Sequence, residues 1–213
     1  MTELVFDCVD VRAERWAAAP TVRFRLKVSE TSGARIHAVA LRCQLRIEPQ
    51  RRRYSDAEAE RLLDLFGERS RWGETLKPLQ FAELSVMLPG FQGSTEADLP
   101  VPCTYDFEVA SAKYFDALSD GEVPLLLLFS GTVFTRGRSG VMVERVPWDK
   151  EAACRMPVRV WREAMELHFP GTAWIRVRRE TFEALHRFKS HRALPTWDDA
   201  LEALLEGAEE STA

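Results

Sequence analysis

The chain has 213 residues, a length that suits one large domain or two small ones. Hydrophobic residues make up 46% and charged residues 29%, which is the composition of a globular protein and argues against disorder. The formal net charge of −4 disfavours nucleic-acid binding through net charge. The longest strongly apolar run, Val123–Phe129, is far shorter than the ~20 residues that span a bilayer. Since the N-terminus also lacks a secretory signal pattern, we expect a soluble, cytoplasmic protein.

Alternation of apolar and polar residues predicts β-strands in the first 150 positions, with one buried and one solvated face. The predicted strands are Leu4–Val11, Val22–Val28, Val39–Ile47, Cys103–Val109, Leu125–Phe134 and Gly140–Val146. Leu125–Phe134 is apolar on both phases, which predicts a central strand that is covered on both sides. Gly90–Pro102 is rich in Gly, Ser, Thr and Pro and is therefore predicted to be a loop.

Helical signals interrupt and then follow these strands. Ser55 and Glu58 have the spacing of a capping box and predict a helix that ends at Gly67. Further helices are predicted at Ala110–Leu118, from Pro157 onward, at Thr181–His191 and after Thr196. We therefore predict an α+β fold: a mainly antiparallel β-sandwich over residues 1–150 with one inserted helix, and a helical C-terminal segment, residues 151–213, packed on it as one compact unit.

The short motifs that mark common active sites are missing. The sequence contains no glycine-rich phosphate loop, no HExxH helix and no GxSxG nucleophile elbow. We therefore predict no catalytic residue, no cofactor and no metal ligand, and a protein that is not an enzyme. Asp106 and Glu108 keep an alternative open, because two carboxylates on one strand face can act as acid and base. Cross-strand pairs with arginine are the simpler interpretation.

Four cysteines carry a second alternative. Cys8, Cys43, Cys103 and Cys154 are dispersed and form no CxxC pair, so buried free thiols are expected. They could instead converge in the fold and act as the ligands of a carrier for a metal ion or an iron–sulfur cluster.

Two features are candidates for partner binding. Arg51, Arg52 and Arg53 follow a predicted strand end, and guanidinium groups suit contacts with carboxylates. A solvated loop, or pairing within the chain, is the alternative. Tryptophans at loops or element ends can anchor a protein interface, or can equally close one end of a sandwich. The tryptophan candidates for partner binding are Trp72, Trp148 and Trp174.

Several segments together carry a family resemblance. They are His37–Pro49, Arg52–Ser55, Leu65–Gly67, Arg71–Thr75, Leu99–Glu108, Phe129–Phe134, Val146–Glu151 and Phe169–Trp174. Through them the chain resembles, over nearly its whole length, an uncharacterised bacterial protein family of about this length. That family is found largely in actinobacteria and is typically encoded near nickel–iron hydrogenase genes.

The resemblance implies an accessory protein that assists the assembly or maturation of a nickel–iron hydrogenase. The expected partner is then a protein, in particular a hydrogenase subunit, and not a nucleic acid or a membrane. The resemblance supplies no reaction and no catalytic residues. The oligomeric state is not readable from the sequence. Three hypotheses follow: a non-enzymatic binding module, which we favour, a metal or cluster carrier that uses the cysteines, and an enzyme built around Asp106 and Glu108.

Overall fold

A computed structural model describes residues 2–104, 106, 109–137, 140–172 and 175–210, with the backbone alone at 209 and 210. The chain divides into two compact units, Met1–Trp174 and Ile175–Ala213. The first unit holds all the strands that the structure describes, together with shorter helices, and the second holds two helices. The boundary between the units therefore lies near residue 174 and not at the predicted residue 150.

The first unit contains two antiparallel sheets and several short helices, which together give it a mixed α+β fold. The strands are β1 (Leu4–Ala13), β2 (Thr21–Glu30), β3 (Arg35–Ile47), β4 (Leu79–Gln92), β5 (Ser94–Pro102), β6 (Glu122–Gly137), β7 (Gly140–Arg145) and β8 (Glu151–Pro157). The three-stranded sheet has the order β1-β2-β5. The five-stranded sheet has the order β4-β3-β6-β7, and β8 also pairs with β6.

Strand β6 organises the five-stranded sheet. One of its edges pairs with β3 over most of its 16 residues. Its other edge is shared: Glu122–Leu128 pairs with β8, and Thr132–Gly137 pairs with β7. Two short strands therefore line up along one edge of a single long strand.

The two sheets share one hydrophobic core. Phe6 of β1 stacks on Phe129 of β6 with ring centroids 4.2 Å apart, and Phe24 of β2 meets the edge of Phe81 of β4 at 6.5 Å. The apolar phases predicted for β2 and β3 are fully buried, as at Val22 and Cys43. Period-two alternation thus identified the inward face of these strands correctly.

The predicted loop Gly90–Pro102 is wrong, because the end of β4 and the whole of β5 occupy it. Strand β4, which was not predicted at all, passes directly into β5. Gly93 connects them with φ of +76°, a conformation that favours glycine and that lets the chain move from one sheet to the other. The inward residues Leu99 and Val101 do follow period two, but the flanking Gly, Ser and Pro residues concealed the pattern.

The predicted strand Cys103–Val109 is also wrong. The ladder between β2 and β5 ends where Thr21 pairs with Pro102, and no described strand pairs with the described residues that follow. Cys103, Thr104 and Asp106 lie in irregular structure, whereas residues 105, 107 and 108 lie outside the described part of the chain. The alternation of apolar and polar residues therefore continues in the sequence beyond the point where β5 stops pairing with β2.

Strand β6 is central, as predicted, but it is not covered on both faces. Leu125 and Leu127 face the core and are buried. On the outer face Leu128 and Phe134 are half-buried, and Ser130 is exposed. Apolar residues on both phases therefore do not prove that a second layer covers the strand.

The helices are α1 (Asp56–Arg61), α2 (Leu63–Phe66), α3 (Trp72–Thr75), α4 (Ala110–Ala117), α5 (Val158–Glu166), α6 (Arg179–His191) and α7 (Trp197–Glu210). The predicted capping box at Ser55 and Glu58 is confirmed, as is the end at Gly67, although the helix breaks at Leu62 into α1 and α2. The wholly helical assignment of residues 151–213 is wrong, because Glu151–Pro157 is β8.

The second unit is a pair of helices. Trp197 at the start of α7 contacts Phe182 of α6 at 5.2 Å between ring centroids. Thr196 and Asp199 form a second capping box: the Thr196 hydroxyl accepts from the Asp199 amide at 3.1 Å, and the Asp199 carboxylate accepts from the Thr196 amide at 2.9 Å. Leu205, in α7, is 65% exposed. Among the described helices, none is both long and apolar enough to cross a bilayer.

Gly131 generates a prediction about stability. It lies in β6 with φ of +143°, and a Cβ there would be 2.1 Å from the backbone oxygen of Ala40 in β3. We expect Gly131→Ala to lower the free energy of unfolding by about 2–4 kcal/mol, because it adds a backbone clash to conformational strain. Gly73→Ala is the matched control: nothing lies within 4 Å of its Cβ position, and a change below ~1 kcal/mol is expected. If urea unfolding shows the same loss of stability for Gly131→Ala and Gly73→Ala, the close approach of β6 to β3 is contradicted.

Candidate functional site

The three arginines predicted to bind a partner have different surroundings. Arg51 pairs with the buried carboxylate of Glu48, with Nη1 2.9 Å from Oε2. Arg52 pairs with Glu58, with Nη2 2.9 Å from Oε1, and both side chains are almost completely buried. Arg53 is exposed and makes no ion pair with any described residue. One arginine of the run is therefore structural, and Arg53 is free to meet a partner.

The carboxylate of Glu58 is the centre of a hydrogen-bonded cluster. It accepts from Arg52, from the backbone amide of Ser55 at 3.0 Å and from that of Ser119 at 2.8 Å. Burial raises the pKa of this carboxyl group, but these hydrogen bonds outweigh burial and bring its pKa down to about 2. Arg52 also donates to the backbone oxygen of Asp120 and lies over the Tyr54 ring. The cluster fastens α1 to the turn that follows α4.

Two buried tyrosines extend the cluster. The Tyr54 hydroxyl donates to the backbone oxygen of Pro49. The Tyr114 hydroxyl lies 2.8 Å from the Tyr54 hydroxyl and donates to it. Burial raises the pKa of Tyr54 to about 12 and raises that of Tyr114 as well. Both phenols stay protonated at neutral pH, so this network suits packing and not acid–base chemistry.

The tryptophans predicted as partner anchors are also unlike one another. Trp72 is half-buried: its indole N–H donates to the backbone oxygen of Gly67 at 3.0 Å, and its ring packs edge-on against Tyr54. Trp148, between β7 and β8, is 93% exposed. Trp174 lies outside the described residues. Trp148 alone among the described candidates has the exposure of a free anchor.

The arginines and Trp148 lie at different places along β6. The Glu48 amide, just before the arginines, donates to the backbone oxygen of Pro124. The Phe129 amide donates to the backbone oxygen of Lys150, close to Trp148. Five residues of strand, about 17 Å, separate these two points. The arginine loop and Trp148 therefore do not form one surface.

A surface that the sequence analysis missed lies at β7. Val141 and Val143 are 62% and 63% exposed, although β7 is a paired strand. The register places them on the outer face of the five-stranded sheet, beside Arg136 and the half-buried Phe134 of β6. We define the β7 surface as Phe134, Arg136, Val141, Val143 and Arg145. The signal was present as three consecutive apolar residues, Val141 to Val143, in a strand too short to be buried on both faces.

Backbone groups of β7 are also unpaired along its outer edge. The Val146 amide donates to Gly131, which fixes the hydrogen-bonded pairs at Glu144 and Met142. In an antiparallel ladder the intervening residues point their N–H and C=O groups the other way. Those of Val141 and Val143 therefore point away from β6, where the structure describes no further strand.

Charges on the β7 surface are unbalanced. Arg136 and Arg145 are exposed and make no ion pair with any described residue. The neighbouring Glu144 faces the opposite side, where the amide and hydroxyl of Thr2 donate to it at 2.8 and 2.9 Å. These hydrogen bonds lower the pKa of Glu144. The surface is therefore an apolar strip that is flanked by two uncompensated positive charges.

The described residues offer little support for the two alternative hypotheses, an enzyme built around two carboxylates and a carrier of a metal ion or cluster. The argument for paired carboxylates assumed a strand through Asp106 and Glu108; Asp106 lies in irregular structure, and Glu108 lies outside the described residues. Over the described part of the chain, no three His, Cys, Asp or Glu side chains come together as metal ligands would. Cys8 and Cys154 do meet, whereas Cys103 lies at the far end of β2 and β5.

The Glu58 cluster generates a prediction about pH. The Glu58 carboxyl group has a pKa of about 2 in the folded chain, against an ordinary value of 4.5. It therefore stabilises the fold fully above pH 4.5, and this stabilisation is lost as the pH falls toward 2. We expect Glu58→Gln to cost about 3 kcal/mol at pH 7, since it leaves Arg52 buried without its counter-charge. The difference in the free energy of unfolding between Glu58→Gln and the wild type, measured with urea, should become smaller between pH 5 and pH 3. Glu60→Gln, at an exposed position on α1, should show no such narrowing, and a constant gap for Glu58→Gln would contradict the buried pair.

Comparison with solved structures finds only distant likenesses. The CARDB domain of a Pyrococcus furiosus protein in complex with di-metal ions is 7% identical; the match covers 73% of this chain and 91% of that chain with a TM-score of 0.29. A putative late embryogenesis abundant protein is 11% identical over 74% of this chain and 71% of that chain, with a TM-score of 0.33. Beta-glucosidase 3B from Thermotoga neapolitana, in complex with alpha-D-glucose, is 12% identical over 72% of this chain and 17% of that chain, with a TM-score of 0.27. TM-scores this low assign no shared activity.

Sequence comparison identifies the family. No curated protein matches the chain. One family has a sequence model that matches residues 1–213, which is the whole of the sequence. The chain therefore belongs to a family of unknown function, DUF6084.

Proposed function

We propose that the protein is a non-enzymatic binding module that holds an extended segment of a partner protein along β7. The observation that carries this proposal is the outer edge of β7, where exposed Val141 and Val143 accompany backbone groups that point away from β6. An extended segment can add to such an edge through main-chain hydrogen bonds and place alternate side chains on the neighbouring surface. In this proposal the two sheets are the layers of a β-sandwich, and the partner extends one layer.

The chemistry of the β7 surface selects the occupant. Val141, Val143 and Phe134 present apolar area, so the segment carries apolar side chains on the face that meets the sheet. Arg136 and Arg145 make no ion pair with the described residues, so the segment also carries Asp or Glu near both ends of the apolar stretch. Trp148 follows β7 closely and is 93% exposed, which makes it a natural anchor beside the docked segment.

The partner that we propose is a nickel–iron hydrogenase subunit or its precursor. The support is the family resemblance described for His37–Pro49 and the other shared segments. Holding an exposed segment of an incomplete subunit is a task that needs no catalytic group, and it fits an assembly or maturation role.

The free edge of β7 predicts the effect of a proline at Val143. Because the Val143 amide points away from β6, Val143→Pro removes a donor that a docked strand would use and leaves the ladder to β6 intact. Val143→Thr is the matched control, because it keeps both the amide and the branched shape. We expect recovery of a hydrogenase subunit to be near-stoichiometric with the wild type and Val143→Thr, and at least about tenfold lower with Val143→Pro.

The measurement is affinity purification from native cytosol under anaerobic conditions, with quantitative mass spectrometry of the recovered proteins. Thermal unfolding of each variant checks that β7 still folds. Absence of any hydrogenase subunit from the folded wild type would contradict the proposed partner. Equal recovery with Val143→Pro would contradict β7 as the docking edge.

The arginine loop predicts a separate pair of results. Arg53 is exposed and free, so Arg53→Glu should change the free energy of unfolding by less than ~0.5 kcal/mol and weaken the complex if this loop also contacts the partner. Arg52→Glu should instead destabilise the fold by about 3–5 kcal/mol, because it places a second carboxylate beside buried Glu58. Unchanged affinity for Arg53→Glu would remove the loop from the interface.

A further inference from the structure

Two cysteines that are distant in the sequence meet between the sheets. Cys8 belongs to β1, at the edge of the three-stranded sheet, and Cys154 belongs to β8, at the edge of the five-stranded sheet. Their sulfur atoms are 2.8 Å apart, although 146 positions separate them in the chain. Strands β1 and β8 lie beside each other, but among the described residues no ladder of hydrogen bonds joins them.

Local backbone geometry brings the two thiols together. Cys8 shares the inward phase of β1 with Leu4 and Phe6, and the register to β2 shifts directly after it, between Cys8 and Asp10. Cys154 lies on the inward phase of β8. Each strand therefore directs its cysteine toward the same seam between the two sheets.

The two thiols have complementary exposure. Cys8 is half-buried, whereas Cys154 is 7% exposed. The hydrogen bond with Cys154 lowers the pKa of Cys8, and burial opposes this effect only in part. The same pairing, together with burial, raises the pKa of Cys154. Cys8 is thus the more exposed of the two residues, and its thiol more readily becomes a thiolate.

The described contacts join neither of the remaining two cysteines to this pair. Cys43 is fully buried, and its pKa is raised to about 12 by burial and, to a smaller extent, by the charge of Cys8. Its partner in β6 is Phe129, whereas the partner of Cys154 is Leu125, four residues or about 13 Å along the strand. Burial also raises the pKa of Cys103 to about 12. Among the described residues, Cys8 and Cys154 are therefore the two cysteines whose sulfur atoms are in contact.

We infer that Cys8 and Cys154 are a redox modification site that peroxide converts into a reversible disulfide between β1 and β8. The Cys8 thiolate attacks one oxygen of hydrogen peroxide; the O–O bond breaks, hydroxide leaves, and Cys8 becomes a sulfenic acid. The Cys154 sulfur then attacks the Cys8 sulfur, the S–O bond breaks, and hydroxide leaves with the thiol proton as water. Two thiols lose two electrons, and peroxide is reduced to two waters. A dithiol reverses the reaction and is itself oxidised to a disulfide.

This disulfide would cross-link the two sheets at a seam that hydrogen bonds leave open. Since it would close a loop of more than a hundred residues, it would remove many conformations from the unfolded chain. We therefore expect oxidation to raise the melting temperature of the first unit by about 5–15 °C. The inference does not depend on the proposed partner, because it concerns only sulfurs within this chain.

The test uses the purified full-length protein, first reduced with dithiothreitol and then treated with a few equivalents of hydrogen peroxide. We expect the number of titratable thiols in the denatured protein to fall from four to two. Peptide mapping without reduction should recover the peptides of Cys8 and Cys154 cross-linked, and dithiothreitol should restore both the thiols and the original melting temperature.

Variants assign the reaction to this pair. Cys8→Ser and Cys154→Ser should abolish the cross-link and the rise in melting temperature, whereas Cys103→Ser should retain both. The inference is overturned if the wild type keeps all four thiols, if the cross-linked peptides contain Cys43 or Cys103, or if the disulfide joins two chains. Because the peptide map of the wild type alone decides these outcomes, a variant that fails to fold does not affect the test.

Discussion

The structure depends on one strand that supports three others. Strand β6 presents Val123, Leu125 and Leu127 to the core, and it pairs with β3 along one edge and with β8 and β7 along the other. The pairing with β3 is close enough that Gly131 leaves no room for a side chain against Ala40. Because β7 and β8 both use the same edge, neither can lengthen without displacing the other. The short β7, with its free outer side, follows from this division.

The Arg52–Glu58 pair has a comparable role at the opposite end of β6. An arginine run in a loop is usually solvated, yet Arg52 is drawn inward because Glu58 is held by its capping box and by the Ser119 amide. Once Glu58 is buried as a carboxylate, a positive partner is needed, and the nearest one in the chain supplies it. The same cluster then packs Tyr54 against Trp72, which converts a predicted anchor into a packing residue.

The surface that we propose to bind a partner is therefore not the one with the densest charge. At the arginine loop, Arg51 and Arg52 are neutralised within the chain. At β7 the charges are fewer, but no residue in the described part of the chain pairs with them, and they flank apolar side chains beside backbone groups that point away from β6. Strand edges of this kind also carry a risk of pairing between copies, and the short length of β7 together with its flanking arginines limits it.

Local periodicity in the sequence was sufficient for the inward faces of β2 and β3 and for the capping box at Ser55 and Glu58. These features depend on residues close together in the chain, so they can be predicted from spacing alone. Period two specifies a face but not a neighbour. That is why Cys103–Val109 was mistaken for a strand and β5 for a loop. Pairings between residues distant in the chain decided the rest. The burial of Arg52, the contact of Cys8 with Cys154 and the free edge of β7 all depend on such pairings, and no local sequence pattern predicts them.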